Sequence, residues 1–144
     1  MISLKEIITT LEEVKKKKKA LSIAQEEYAR QNSRVQGTVP LGSTQGSGIK
    51  GGYKANKQEL LALLIDCDKE REEANRAYLS AVQAAEDYIK LLDDYTQRTI
   101  MRMHYIGGAE WEDVARRTYY SVRAIYKIRN NCLLSIQNKV NNTK

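Results

Sequence analysis

Phenylalanine is absent from the 144-residue chain, and tryptophan, proline and histidine occur once each. Nine tyrosines are the only other aromatic side chains. That is thin material for a wide globular core, and it fits narrow helix–helix seams better. The single proline and six of the eight glycines lie between residues 37 and 52, so the rest of the chain is almost free of helix breakers. No apolar run approaches the ~20 residues that a membrane-spanning helix needs, and the N-terminus lacks the apolar stretch of a secretory leader. The expected location is the cytoplasm, with no membrane partner. Cys67 and Cys132 stand apart without metal-ligand spacing and read as buried thiols in a reducing compartment. His104 has no partner for a Ser-His-Asp or Cys-His set. The stretch "GSTQGSG" lacks both a preceding strand and the Lys-Ser/Thr ending of a phosphate-cradling loop. Neither catalysis, nor a cofactor, nor a metal site is expected.

The net charge is +6, and its distribution carries more information than its size. Residues 1–96 hold 15 basic and 15 acidic side chains, whereas residues 97–144 hold 9 basic and 3 acidic ones. The whole excess therefore belongs to the last third. A basic domain beside a neutral one is the electrostatic footprint of a nucleic-acid-binding unit.

Leu4, Ile7, Leu11, Val14, Lys18, Leu21, Gln25 and Tyr28 follow a 3-4 spacing. After the Gly-rich stretch, Leu60, Leu64, Cys67, Arg71, Ala74, Tyr78, Ala81, Ala85, Tyr88, Leu92 and Tyr95 do the same. Such seams belong to coiled-coil helices. The pattern predicts an all-α chain: a first hairpin helix over 1–32, a flexible Gly/Ser-rich linker over 33–54 and a second hairpin helix over 55–92. The two helices form a long antiparallel hairpin, and a small helix-turn-helix domain follows over 93–144. With Tyr28 beside Leu60, residue i would face residue 88 − i. Lys15 to Lys19 would then lie opposite the acidic stretch 69–73, and Lys18 near Arg71. A two-helix hairpin buries only one seam, so self-association into a dimer or higher oligomer is expected.

In the last third, "DDYTQRTIMRMHYIGG" reads as one helix ended at Gly107 and Gly108. "AEWEDVARRT" reads as a second, with Glu110, Glu112 and Asp113 in the first turn, where carboxylates favour the helix dipole. Trp111 and His104 are read as structural rather than as a stacking platform or a ligand. Ser121 is a natural N-cap for a third helix with a buried stripe of Ile125, Ile128, Cys132 and Leu133 or Ile136. Val122, Arg123, Tyr126, Lys127 and Asn130 are left facing outward.

The stretch "WEDVARRTYYSVRAIYKIRNNCL" resembles the fourth region of bacterial sigma factors, with Ser121, Ile125, Ile128 and Leu133 at its cap and core positions. The wider order of helix, Gly/Pro linker, longer helix and this unit is similar to small phage and prophage proteins of Gram-positive bacteria. Among these are the ArpU/RinA-type regulators of late phage transcription. The resemblance implies a DNA-binding transcriptional regulator in the host bacterial cytoplasm, with double-stranded DNA as partner. It places Val122, Arg123, Tyr126 and Lys127 on base edges, while Arg116, Arg117, Tyr120 and Arg129 are suited to phosphates. Arg98 and Arg102 are weaker candidates. Two positions depart from the sigma pattern: Tyr119 stands where the turn usually has glycine, and Val122 where an arginine often reads bases. Two other readings fit the same arrangement, a small terminase-like DNA-packaging subunit and an adaptor that docks on RNA polymerase.

Overall fold

The computed structural model describes residues 1–37 and 57–143, and among these every regular element is helical. Helix α1 spans Leu4–Gln36, α2 Lys57–Ile89, α3 Tyr95–Met101, α4 Trp111–Thr118 and α5 Val122–Asn142, with a π-helical turn over Arg102–Ile106. The expected all-α class, with a helical hairpin ahead of a short helix-turn-helix, is the fold observed. None of the described helices is long and apolar enough to cross a membrane.

The start of α1 follows from its sequence. Ser3 and Glu6 cap one another: the Ser3 hydroxyl accepts from the Glu6 N–H at 3.2 Å, and the Glu6 carboxylate accepts from the Ser3 N–H at 2.9 Å. These bonds from Ser3 hold the Glu6 carboxyl below its ordinary pKa. The other end differs from expectation. Helix α1 continues through Ser33 and Arg34 to Gln36, with Val35 buried, so the linker does not begin at residue 33. The remainder of the expected linker, residues 38–54, lies outside the described residues.

The described chain forms two compact units, which divide within the long helices rather than at residue 93. One unit comprises Met1–Lys18 and Ala77–Lys144, the other Lys19–Arg76. In the first, Ile7, Leu11 and Val14 of α1 and Ala85 and Ile89 of α2 share one core with Leu92, Ile100, Met101 and Tyr105. Trp111, Val114 and Ala115 of α4 and Ile125, Cys132, Leu133 and Ile136 of α5 complete it. Short helices of 7 and 8 residues cannot enclose such a core alone, and the ends of the long helices supply the missing wall. The buried surroundings push the Cys132 thiol up to about 11, so it stays protonated and inert.

Polar contacts fasten the same unit. Arg102 donates twice to the Glu86 carboxylate, at 2.8 and 3.0 Å. The Arg98 guanidinium donates to the carbonyls of Leu92 and Asp93 at 2.7 and 3.0 Å, at the exit of α2. Lys139 reaches the Leu91 carbonyl and the Asp93 carboxylate, each at 2.7 Å. The Ile2 N–H donates to Asn141 at 2.8 Å, which ties the start of the chain to the end of α5. Arg98 and Arg102, the weaker nucleic-acid candidates, are thus engaged in holding α3 and the π turn to α2.

In the second unit the burial is shallower. Among its described residues Leu21, Gln31, Val35, Leu60 and Cys67 are buried, and each keeps 6–8% of its surface. The register differs from the one the spacing suggested. Tyr28 lies against Arg71, whose guanidinium stacks 4.6 Å from the ring centroid, and shares a groove with Leu64 and Asp68 rather than meeting Leu60. In the first unit Lys17 faces Ala77, Ser80 and Ala81, and its ion partner is Glu13 of its own helix at 3.8 Å. Charge pairing of the lysine run with residues 69–73 does not select the register. Exposed ion pairs stabilise by about 0–1 kcal/mol, against about 1.5–3 kcal/mol for each fully buried Leu or Ile. Sliding Ile7, Leu11 and Val14 into the shared core wins. Tyr95, placed in the second seam by its spacing, opens α3 instead and is exposed.

If α1 is a wall of the C-terminal core, Leu11→Ala lowers the unfolding free energy of the whole chain by about 2–5 kcal/mol. Urea denaturation followed by circular dichroism measures it. A loss under about 1 kcal/mol would show that the short helices stand without α1.

Candidate nucleic-acid interface

The helix-turn-helix is assembled by α4, a three-residue turn of Tyr119, Tyr120 and Ser121, and α5. Helix α4 carries Glu112 and Asp113 in its first turn and buries Trp111, Val114 and Ala115. It ends at Tyr119, which takes a left-handed conformation with φ 63° and ψ 27°. The Tyr120 N–H donates to the Ala115 carbonyl at 3.1 Å and the Tyr119 N–H to that of Arg116 at 3.4 Å, the paired bonds of a Schellman cap. The left-handed backbone that glycine usually supplies at a helix C-terminus is here built on tyrosine. A left-handed non-glycine residue costs about 1–2 kcal/mol. Ser121 then accepts from the Ala124 N–H at 3.0 Å and opens α5 as its N-cap.

The expected stripe is the one that α5 buries: Ile125, Cys132, Leu133 and Ile136 lie in the core, and Ile128 packs against it. Val122, Arg123, Tyr126, Lys127 and Asn130 are exposed on the other side. Tyr126 is braced, its ring 6.2 Å from that of Trp111. Trp111 in turn stacks on His104 at 3.8 Å and meets Tyr105 edge-on at 5.8 Å. This aromatic file orients α5 on the π turn and was not legible in the sequence. His104 and Trp111 are seven positions apart across a Gly-Gly break, and the two rings become neighbours only because of how the turn folds.

The π turn has its own cause. Gly107 donates to the Arg102 carbonyl at 2.8 Å, and Ala109 to that of Met103 at 3.0 Å, so the helix widens before it stops. A Cβ on Gly107 would stand 2.8 Å from the Met103 carbonyl oxygen, and Gly108 has φ 78°. Gly107 is therefore required for space, and Gly108 is favoured by its left-handed backbone, where the sequence expected a simple helix end. His104 fits inside this turn. Its Nδ1–H donates to the Ala109 carbonyl at 2.7 Å, and burial lowers its pKa below the ordinary histidine value. The ring also lines a cavity of about 280 Å³ with Leu11, Lys15, Lys16 and Glu110.

The phosphate candidates divide. The side chains of Arg117 and Tyr120 are exposed and make no hydrogen bond or ion pair among the described residues. Arg116 is exposed but paired with Asp113. Arg129 is half-buried and donates to the Tyr105 hydroxyl at 3.3 Å and to Asn130 at 3.2 Å. Among the base-edge candidates, Arg123 and Lys127 likewise have no partner among the described residues. Their donors are free, so a ligand would not have to displace an internal bond to reach them. Comparison with protein-family models, with characterised proteins and with solved structures finds no match for the chain.

The lowered pKa of His104 sets a pH dependence. Neutral His104 is favoured in the folded chain, so between its folded pKa and about 6.5 the unfolded chain binds more protons. Its contribution is fully present above about pH 6.5 and is lost as pH falls towards the folded value. NMR titration of the ring is expected to give a midpoint below 6.5, with thermal stability declining from pH 7 to 5.5. A midpoint at or above 6.5 would mean that the ring is not held neutral by burial.

Proposed function

We propose that the chain is a DNA-binding protein whose helix α5 enters the major groove of double-stranded DNA, and that it acts as a transcriptional regulator of the phage or prophage type. The observation that carries this reading is the exposed row of Val122, Arg123, Tyr126 and Lys127 on a capped helix whose opposite face is locked into the core. Arginine and lysine donors at 123 and 127 suit guanine O6 and N7, and the Tyr126 edge suits a thymine methyl. Arg117 and Tyr120 flank the entry of α5 and suit phosphates, which set position without reading sequence. Arg116 and Arg129 can join them only by sharing donors already engaged with Asp113 or with Tyr105 and Asn130.

Self-association is the second part of the proposal, and the shallow burial in the unit Lys19–Arg76 supports it. Ile23, Leu61, Leu63 and Ile65 are exposed there, with Ile23 at 59% and Ile65 at 56%. A second copy covering these side chains would provide the layer that two helices lack. A two-fold dimer then calls for half-sites about one helical turn apart or multiples of it. A ring of many subunits would instead favour a small terminase-like packaging role. An adaptor docking on RNA polymerase would use the same outward row with little response to DNA.

The test is binding of the full chain to duplex DNA across a salt titration. Log affinity is expected to fall steeply with log salt. Arg123→Ala relaxes sequence preference, with a loss of about 1–3 kcal/mol on the matched site only. Arg117→Ala weakens matched and scrambled duplexes alike and makes the salt slope shallower by about 1. Absence of binding at low salt would remove the DNA reading in favour of the adaptor.

A further inference from the structure

A turn that requires a left-handed residue is built at least cost from glycine or asparagine, because they carry the smallest penalty at positive φ. Position 119 carries tyrosine with φ 63°. Its side chain gives nothing back to the folded chain: the residue is 95% exposed, and among the described residues its side chain has no hydrogen bond or ring contact. The neighbouring aromatics differ. Tyr126 leans on Trp111, and Tyr120 is less than half as exposed as Tyr119. The Schellman bonds at 119 would form equally on glycine, so nothing that the tyrosine side chain does inside the molecule offsets its strain, which is the circumstance in which strain marks a functional position.

Its location narrows the function. Tyr119 lies two residues before Ser121, the N-cap of α5, and at about 3.8 Å per residue its backbone is within about 8 Å of that end. The N-terminal end of a recognition helix is the end that approaches base edges, with the phosphates of the groove wall beside it. Arg116, Arg117 and Arg123 are exposed on either side in sequence, so the surroundings are cationic. A phenol presented there is a hydrogen-bond donor for an anionic oxygen, carried on a flat apolar ring.

We infer that Tyr119 is a phosphate contact of the helix-turn-helix: its hydroxyl donates to a backbone phosphate of duplex DNA while its ring packs on the adjoining sugar. The inference rests on the DNA-binding reading above and adds to it a residue kept at a cost in stability. It also has a signature that arginine contacts lack. A neutral phenol displaces no condensed counterion, so its loss lowers affinity without changing the salt slope.

The experiment uses the full chain, a fluorescein-labelled duplex in a salt titration and thermal unfolding of each variant. Tyr119→Gly and Tyr119→Asn relieve the strain and are expected to raise Tm by about 2–4 °C. The same two variants bind about tenfold more weakly on matched and scrambled duplexes alike, with an unchanged salt slope. Tyr119→Phe keeps the ring, leaves Tm where it is and loses about fivefold in affinity. Binding of the Gly and Asn variants within twofold of wild type, while Arg123→Ala is impaired, would overturn the role of Tyr119 and leave the DNA reading intact. A fall in Tm together with affinity would reduce Tyr119 to a structural residue. If the wild-type chain binds no duplex at low salt, the DNA reading and this contact fail together.

Discussion

The shared core of Ile7, Leu11, Val14, Ala85, Ile89 and Leu92 with the C-terminal helices is the constraint on which the rest depends. A helix-turn-helix made of 7-, 8- and 21-residue helices has too little apolar surface to close over itself. The ends of two longer helices complete it. The contacts around that core follow from the same need. Arg98, Arg102 and Lys139 spend their charges on carbonyls and carboxylates at the exit of α2 because the chain must reverse there without exposing the core.

Rigidity at the outward row originates in this core. Ile125, Cys132, Leu133 and Ile136 fix the roll of α5 about its axis, which decides that Arg123 and Lys127 point to solvent. The file of His104, Trp111 and Tyr126 fixes its tilt from the other side. The π turn is the geometric device that makes the file possible. By widening the helix over Arg102–Ile106 it brings His104 into register with Trp111, and only glycine at 107 leaves room for the bond that ends it. Presentation of a few side chains on a rigid element, with their donors left free, is what the proposed DNA contact would need.

The unit Lys19–Arg76 follows different physics. Its two helices meet along one seam in which Gln31 is buried and Arg71 stacks on Tyr28, so polar groups sit where a larger core would place leucine. Arg71 is held in its charged form by its hydrogen bond to Asp68. Such polar seam positions favour one alignment over others at the cost of stability. The exposed isoleucines and leucines nearby are then apolar surface for which this seam has no room.

Local chemistry was readable residue by residue. The Ser121 cap, the stripe from Ile125 to Ile136, the buried Trp111 and the all-helical class are consequences of spacing and side-chain type within one or two turns, and each appears as the spacing predicts. What was not readable involves distant partners. The register of the hairpin, the helical continuation of α1 to Gln36, the engagement of Arg98 and Arg102, and the partnering of Arg129 with Tyr105 each depend on which segments meet in space. So does the division of the chain, because a seam of 3-4 spacing is compatible with several alignments that differ by whole turns. By itself the sequence determined the helical class, the Ser121 cap and the face that α5 would bury, since these are set by interactions within a few residues. Only the tertiary structure decided which alignment buries Ile7, Leu11 and Val14, and hence which cations are left free, because burial is a property of the assembled core.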